Sequence, residues 1–155
     1  MKQNTALPRR RLLALGMGAA GLLVIRTAPA QTPEELAAAI AAYTGGAPVT
    51  AGKVRLEIEK IVDNGNAVPV TVRVDSPMTA AGHVTAIAIY NERNPQREVA
   101  KFTLGPRAGK AEVATRIRLA TSQKLVAIAR LSDGSYWSHT VDVVVALAAC
   151  IEGDI

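Results

Sequence analysis

From residue 54 onward this chain places apolar residues at every second position, and that period restricts it to β structure. Val54, Leu56 and Ile58 alternate with Arg55, Glu57 and Glu59, and Val68, Val70, Val72 and Val74 form a second alternating set. Successive side chains of a strand point to opposite faces, so each set puts one face in a core and the other in water. Asp63-Asn64-Gly65-Asn66 reads as the turn between them. After a break at Ser76-Pro77, Val84–Tyr90 is an apolar run suited to burial on both faces. Glu98–Leu104 and Glu112–Leu119 read as strands separated by Gly105-Pro106. Lys124–Leu131 and Ser135–Leu147 then read as a hairpin closed at Ser132-Asp133-Gly134. About seven short strands at a spacing of about 8–12 residues, with no helix between them, predict an all-β sandwich and not a parallel α/β sheet.

The first thirty residues follow a different rule. Met1–Arg11 is polar and basic, Leu12–Ile25 is apolar, and Ala28-Pro29-Ala30 supplies the small residues that a signal peptidase reads. Cleavage is expected between Ala30 and Gln31. The apolar run contains Gly16, Gly18 and Gly21 and is too short to cross a hydrocarbon core about 30 Å thick. Pro8-Arg9-Arg10-Arg11-Leu12-Leu13 resembles a twin-arginine export signal, with Pro8 where Ser or Thr is usual. Residues 1–30 are therefore read as a twin-arginine signal peptide, and the remainder as periplasmic, exported already folded, with no membrane attachment after cleavage. The leader also explains the charge. The chain has 18 Lys and Arg against 13 Asp and Glu, but five of the basic residues lie in 1–30 with no acid. The remainder is neutral, so nucleic acid is not an expected partner.

A single helix precedes the strands. Thr32 is placed to cap it, Pro33 suits its first turn and Glu35 completes a capping box. Leu36, Ile40 and Tyr43 share a face, and Gly45-Gly46 ends it. Residues 31–147 thus form one domain, an immunoglobulin-like β-sandwich with a short N-terminal helix, and 148–155 form a C-terminal tail. Val143, Val144 and Val145 break the alternation, which predicts cover on both faces there, one of them supplied by a partner.

Few residues are suited to chemistry. His83 and His139 are the only histidines, and neither has an acid or thiol at ligand spacing, so no metal site is expected. Asp63–Asn66 lacks the further oxygen ligands of a calcium loop. Arg116 and Arg118 share a strand face with Glu112 and Ala114 and read as a solvated surface. Tyr136-Trp137 reads as core or as an interface anchor. No Ser-His-Asp order, phosphate loop or carboxylate pair stands out, so no catalytic residues and no cofactor are assigned. Cys150 remains. It is the only cysteine, it lies beyond the last strand, and Ala148, Ala149, Ile151, Glu152 and Gly153 flank it. A lone thiol in an exported chain points to a reactive group or to intermolecular pairing. A packed or disulfide-linked cysteine in a non-catalytic interaction module is the alternative. Glu152, Asp154 and the terminal carboxylate disfavour its thiolate, so the thiol is expected to titrate at or above its ordinary value.

The twin-arginine leader, Tyr43-Thr44-Gly45-Gly46, Ile61–Asn66 with Val68-Pro69-Val70, Val74-Asp75-Ser76-Pro77-Met78, and Ile117–Gln123 together resemble the SoxY family. SoxY is the sulfur-carrier subunit of the periplasmic Sox thiosulfate-oxidation system. The resemblance covers essentially the whole exported chain and implies a heterodimer with SoxZ and one carrier cysteine near the C-terminus, here Cys150. It also implies transient encounters with SoxAX, SoxB and a molybdenum-containing sulfane dehydrogenase. On that scheme the chain carries substrate between enzymes and is not an enzyme itself. The family's Gly-Gly-Cys-Gly-Gly arm is replaced here by Ala148-Ala149-Cys150-Ile151-Glu152.

Overall fold

The computed structural model describes residues 33–147. Residues 1–32, with the expected signal peptide and Thr32, and residues 148–155 lie outside the described residues. Helix α1, Pro33–Thr44, opens on Pro33 with Glu34 and Glu35 in its first turn. It closes on Gly45 and Gly46, both at positive φ (64° and 80°), where glycine carries no Cβ penalty. Nine strands follow among the described residues: β1 Val49–Ala51, β2 Val54–Glu57, β3 Ile61–Asn64, β4 Val68–Val74, β5 Val84–Asn91, β6 Glu98–Thr103, β7 Glu112–Ile117, β8 Gln123–Leu131 and β9 Tyr136–Leu147. Seven match the expected strands to within two residues at each end. The two additional ones, β1 and β3, are three and four residues long, too short to show a period in sequence. Residues 63 and 64 belong to β3, so the expected turn begins at Gly65. Asn66 N–H donates to Asn64 Oδ1 at 2.9 Å, an Asx turn.

The strands form two sheets. One runs β1-β9-β8-β5-β6, with β3 also paired to β9, and the other runs β2-β4-β7. β1 and β3 both lie parallel to β9, Val49 opposite Tyr136 and Ile61 opposite Val144. Between these contacts, His139 Nδ1 on β9 accepts the Leu56 N–H of β2 at 3.0 Å and ties the two sheets together. Pro69 lies within β4 at no cost, because β2 pairs only with residues 71–74 and leaves that flank of β4 free.

Alternation decides what each face touches. Val70 and Val72 of β4, Leu56 of β2, Ile87 and Ile89 of β5, Leu125 and Ala127 of β8 and Val143 of β9 meet between the sheets. A fully buried valine such as Val72 contributes about 1.5–3 kcal/mol. Ala88 and Tyr90 of β5, Val126 and Ile128 of β8 and Tyr136 of β9 face the other way, against Leu36, Ile40 and Tyr43 of α1. This third layer explains why β5 is apolar on both faces. It also makes Tyr136 core, while Trp137 packs half-buried on the inter-sheet cluster.

Tyr43 contacts the rings of Tyr90 and Tyr136 at centroid distances of 5.9 and 5.8 Å. Its buried hydroxyl has no hydrogen-bond partner among the described residues, and burial raises its pKa. Tyr43→Phe keeps the ring contacts and removes the unsatisfied group. We expect a thermal melt unchanged or improved by up to about 1 kcal/mol. A clear loss of stability would show that the hydroxyl is bonded in solution.

The β8–β9 hairpin turns at Gly134 (φ 85°). Ser135 donates to Asp133 from both N–H (2.9 Å) and Oγ (2.6 Å), which holds the Asp133 carboxyl below its usual pKa. On the outer face of the small sheet, Arg73 pairs with Glu57 and Glu112. All three side chains are exposed, so these pairs add little stability.

Candidate functional site at the end of the last strand

The side chains assigned to the site by sequence, Cys150 with Ala148, Ala149, Ile151, Glu152 and Gly153, lie outside the described residues. What the structure does show is how the chain is held up to Leu147. β9 is gripped from both sides. On one side β8 begins at Gln123, opposite Val143. Ser122 continues that grip beyond the ladder, its Oγ accepting the Val145 N–H at 2.9 Å. On the other side β3 pairs with Val144, Val145 and Leu147, and Val144 N–H donates to Lys60 O at 2.8 Å. Cys150 follows three residues after the last paired one.

A polar network stiffens this end of the sandwich. Asn91 is fully buried and Gln123 nearly so. Asn94 Oδ1 accepts from Gln123 Nε2 at 2.7 Å and from Ala120 N–H at 3.0 Å, and its Nδ2 donates to Arg118 O at 2.7 Å. Asn91 Oδ1 accepts the Asn94 N–H at 2.9 Å, and its Nδ2 donates to Gln96 O at 2.8 Å. Gln123 Oε1 accepts the Arg93 N–H at 2.8 Å, and Glu92 Oε2 accepts the Lys124 N–H at 3.2 Å. Arg97 pairs with Glu35 and so connects this loop to α1. Two of the segments that carried the family resemblance, 61–66 and 117–123, meet here. Leu119 N–H donates to Gly65 O at 2.8 Å, and Arg118 Nη2 donates to Asn66 Oδ1 at 3.3 Å. Sequence reasoning singled out neither Asn94, Gln123 nor Ser122. Ser122 and Gln123 lay within a family-like segment, and no sequence signal marked Asn94.

Within the valine run of β9, Val143 is 1% exposed and Val144 53% exposed, so this chain itself covers one face of the run and leaves the other open. Val144 lies beside Ile61, which is 69% exposed, and together they form the exposed large hydrophobics of the described residues. The helix covers the Tyr136 end of that sheet face but does not reach this end.

The remaining candidates occupy plain positions. Arg116 and Arg118 are exposed on and just beyond β7. His83 is partly exposed, its Nδ1 3.1 Å from Thr79 O, and His139 serves the inter-sheet contact described above. Among the described residues no group of three or more His, Cys, Asp or Glu could hold a metal ion.

A two-layer β-sandwich faced by one helix, with a clamped final strand, defines an all-β, immunoglobulin-like domain. Superoxide reductases are among its solved likenesses. The Ignicoccus hospitalis protein (neelaredoxin) superposes with a TM-score of 0.54 at 21% identity, covering 61% of this chain and 80% of that one. A variant of the same protein gives 0.54 at 22%, covering 74% and 92%. The Nanoarchaeum equitans protein gives 0.52 at 17%, covering 62% and 100%. At these identities the likeness is one of fold alone. No curated protein matches in sequence. Residues 40–150 match the family of the sulfur oxidation protein SoxY, and the chain belongs to that family.

Proposed function

We propose that this chain is a periplasmic carrier which holds thiosulfate-derived sulfur covalently on Cys150 and presents it to the Sox enzymes. The observation that supports this most directly is that the family match extends to residue 150, the cysteine itself. The thiol follows three residues beyond a strand clamped by Ser122 and β3, which suits a group offered to other proteins. In loading, the thiol and the outer sulfur of thiosulfate form a disulfide bond: RSH + S2O3²⁻ gives RS–S–SO3⁻, one proton and two electrons. The electrons pass to the c-type cytochrome SoxAX. Hydrolysis by SoxB then breaks the bond to the sulfonate: RS–S–SO3⁻ and water give RS–SH and hydrogen sulfate. The sulfane sulfur left behind is the substrate of the molybdenum-containing enzyme. Covalent attachment gives each active site a high local concentration of intermediate.

Intact mass measurement on protein from thiosulfate-grown cells tests this reading. Adducts of sulfane sulfur or of thiosulfonate on Cys150 are expected. An unmodified thiol in every preparation would overturn the carrier role in favour of a plain interaction module.

The uncovered Ile61–Val144 face is assigned to the companion subunit SoxZ, with which the chain would be exported folded through its twin-arginine leader. A strand pair with two adjacent large apolar side chains in water gains by burying them. Ile61→Glu with Val144→Glu should leave the chain folded, since both side chains already face solvent, and weaken the heterodimer at least tenfold in co-purification. Undiminished pairing would place the interface elsewhere.

A further inference from the structure

β7 is the edge of the small sheet and pairs only with β4. Val74 N–H donates to Ala111 O at 2.9 Å, which fixes the parity of that ladder. Along an antiparallel ladder, hydrogen-bonded pairs alternate with non-bonded ones. Val113, Thr115 and Ile117 therefore turn their N–H and C=O groups toward β4, and Glu112, Ala114 and Arg116 turn theirs outward. Glu112, Ala114 and Arg116 are also the exposed residues of the strand. Among the described residues nothing bonds those outward groups. β6, the other open edge beside it, has an irregular ladder that shifts at Ile89/Tyr90 and carries the exposed Lys101, two features that discourage further pairing. β7 has neither lysine nor proline, and its ladder with β4 is unbroken.

This edge is complementary to itself. Glu112 and Arg116 lie two positions either side of Ala114. When a second β7 is set antiparallel about a twofold axis through Ala114, each Glu112 meets the other copy's Arg116, and Ala114 meets Ala114. All three become hydrogen-bonded pairs, so this register uses every outward backbone group of the strand. A slip of one residue would align those groups with positions that point the other way, and would lose the bonds. The side chains agree with the register. Arg116 has no carboxylate partner among the described residues. Arg73 Nε donates to Glu112 Oε2 at 2.9 Å, which leaves Oε1 able to accept a second guanidinium. Thr71 is the register partner of Ala114, so the axis passes through small side chains. We propose that two copies of this chain pair edge to edge through β7, antiparallel about Ala114, to form one continuous sheet β2-β4-β7-β7-β4-β2. Opposite charges across such a pair favour it, and like charges oppose it. The contact involves neither Cys150 nor the Ile61–Val144 face, so it stands apart from the sulfur-carrier reading and from pairing with SoxZ.

Sedimentation equilibrium of the exported chain tests this, with and without SoxZ. Reducing conditions exclude a disulfide through Cys150. One strand pair makes a small interface, so a monomer–dimer equilibrium in the micromolar range is expected. E112R and R116E each set like charges opposite one another, and each should weaken the dimer at least tenfold. Mixed in equal amounts they should recover it, because a chain with arginine at both positions then meets one with glutamate at both. Both sites are exposed, and a parent-like melt excludes a folding artefact. Amide exchange reads the same contact with no substitution. The amides of Glu112, Ala114 and Arg116 should slow at least fivefold as the parent concentration is raised through the transition. A monomer at every concentration, a dimer indifferent to both charge variants, or no recovery on mixing would overturn the proposal. So would slowing of those amides by SoxZ and not by concentration, since the edge would then belong to the companion subunit. Sulfur loading of Cys150 is measured separately, so failure of this pairing and failure of the carrier role are told apart.

Discussion

Cys150→Ser is expected to leave the thermal melt within about 0.5 kcal/mol of the parent and to abolish thiosulfate-dependent sulfate formation in a reconstituted Sox system. The stability half follows from the packing. The buried hydrophobic residues run from Leu36 to Val143, and β9 is held on both sides up to Val145 and by β3 up to Leu147. The described core is closed before the cysteine is reached. The activity half follows from the chemistry. A serine hydroxyl cannot form the S–S bond on which every later step depends, so the loss should be complete and not graded. A variant that aggregates while its activity per folded molecule survives would show the thiol to be core and the carrier reading wrong.

Asn94→Ala is expected to be the most damaging single change near the clamp, at about 3 kcal/mol. The carboxamide joins the 91–97 loop to Arg118, Ala120 and Gln123 through three hydrogen bonds of 2.7–3.0 Å. Each is worth about 1 kcal/mol net, and an orphaned half-buried donor at Ala120 adds to the cost. A domain of this size should melt roughly 10 °C lower. Gln123 would lose one of its anchors, and the start of β8 that pairs with Val143 would loosen with it. Faster amide exchange at Val143 and Val145 is the local signature. Parent-like exchange with a melt lowered by less than about 1 kcal/mol would show that the loop is not part of the cooperative unit.

Much of this architecture is written in local pattern. The alternation of β2, β4 and β8 declares strands because a strand's side chains have a period of two, and no tertiary information is needed to read it. The helix from Pro33 to the two glycines is legible for the same reason, as its cap chemistry and facing residues lie within a dozen positions. The apolar stretch of β5 announced double-sided burial correctly, but it could not say that α1 supplies the second cover. The valines of β9 show the opposite limit. Three in a row suggested cover on both faces, one of them from a partner; only the structure shows that this chain covers the Val143 face and that the open Val144 lies beside an equally uncovered Ile61 from a distant part of the chain.

The sequence alone determined the strand-rich fold, the neutral charge balance behind the first thirty residues and the isolation of Cys150 as the one thiol, since each is a matter of composition or of spacing along the chain. The tertiary structure alone decided which residues surround the point where the tail begins. Asn64 ends β3, Asn94 lies in the β5–β6 loop, and Arg118 and Ser122 lie in the β7–β8 connection, three segments whose meeting depends on β3 lying parallel to β9. Parallel pairing of strands so far apart in sequence is settled by long-range packing and leaves no periodic trace, so no window of sequence could have shown it.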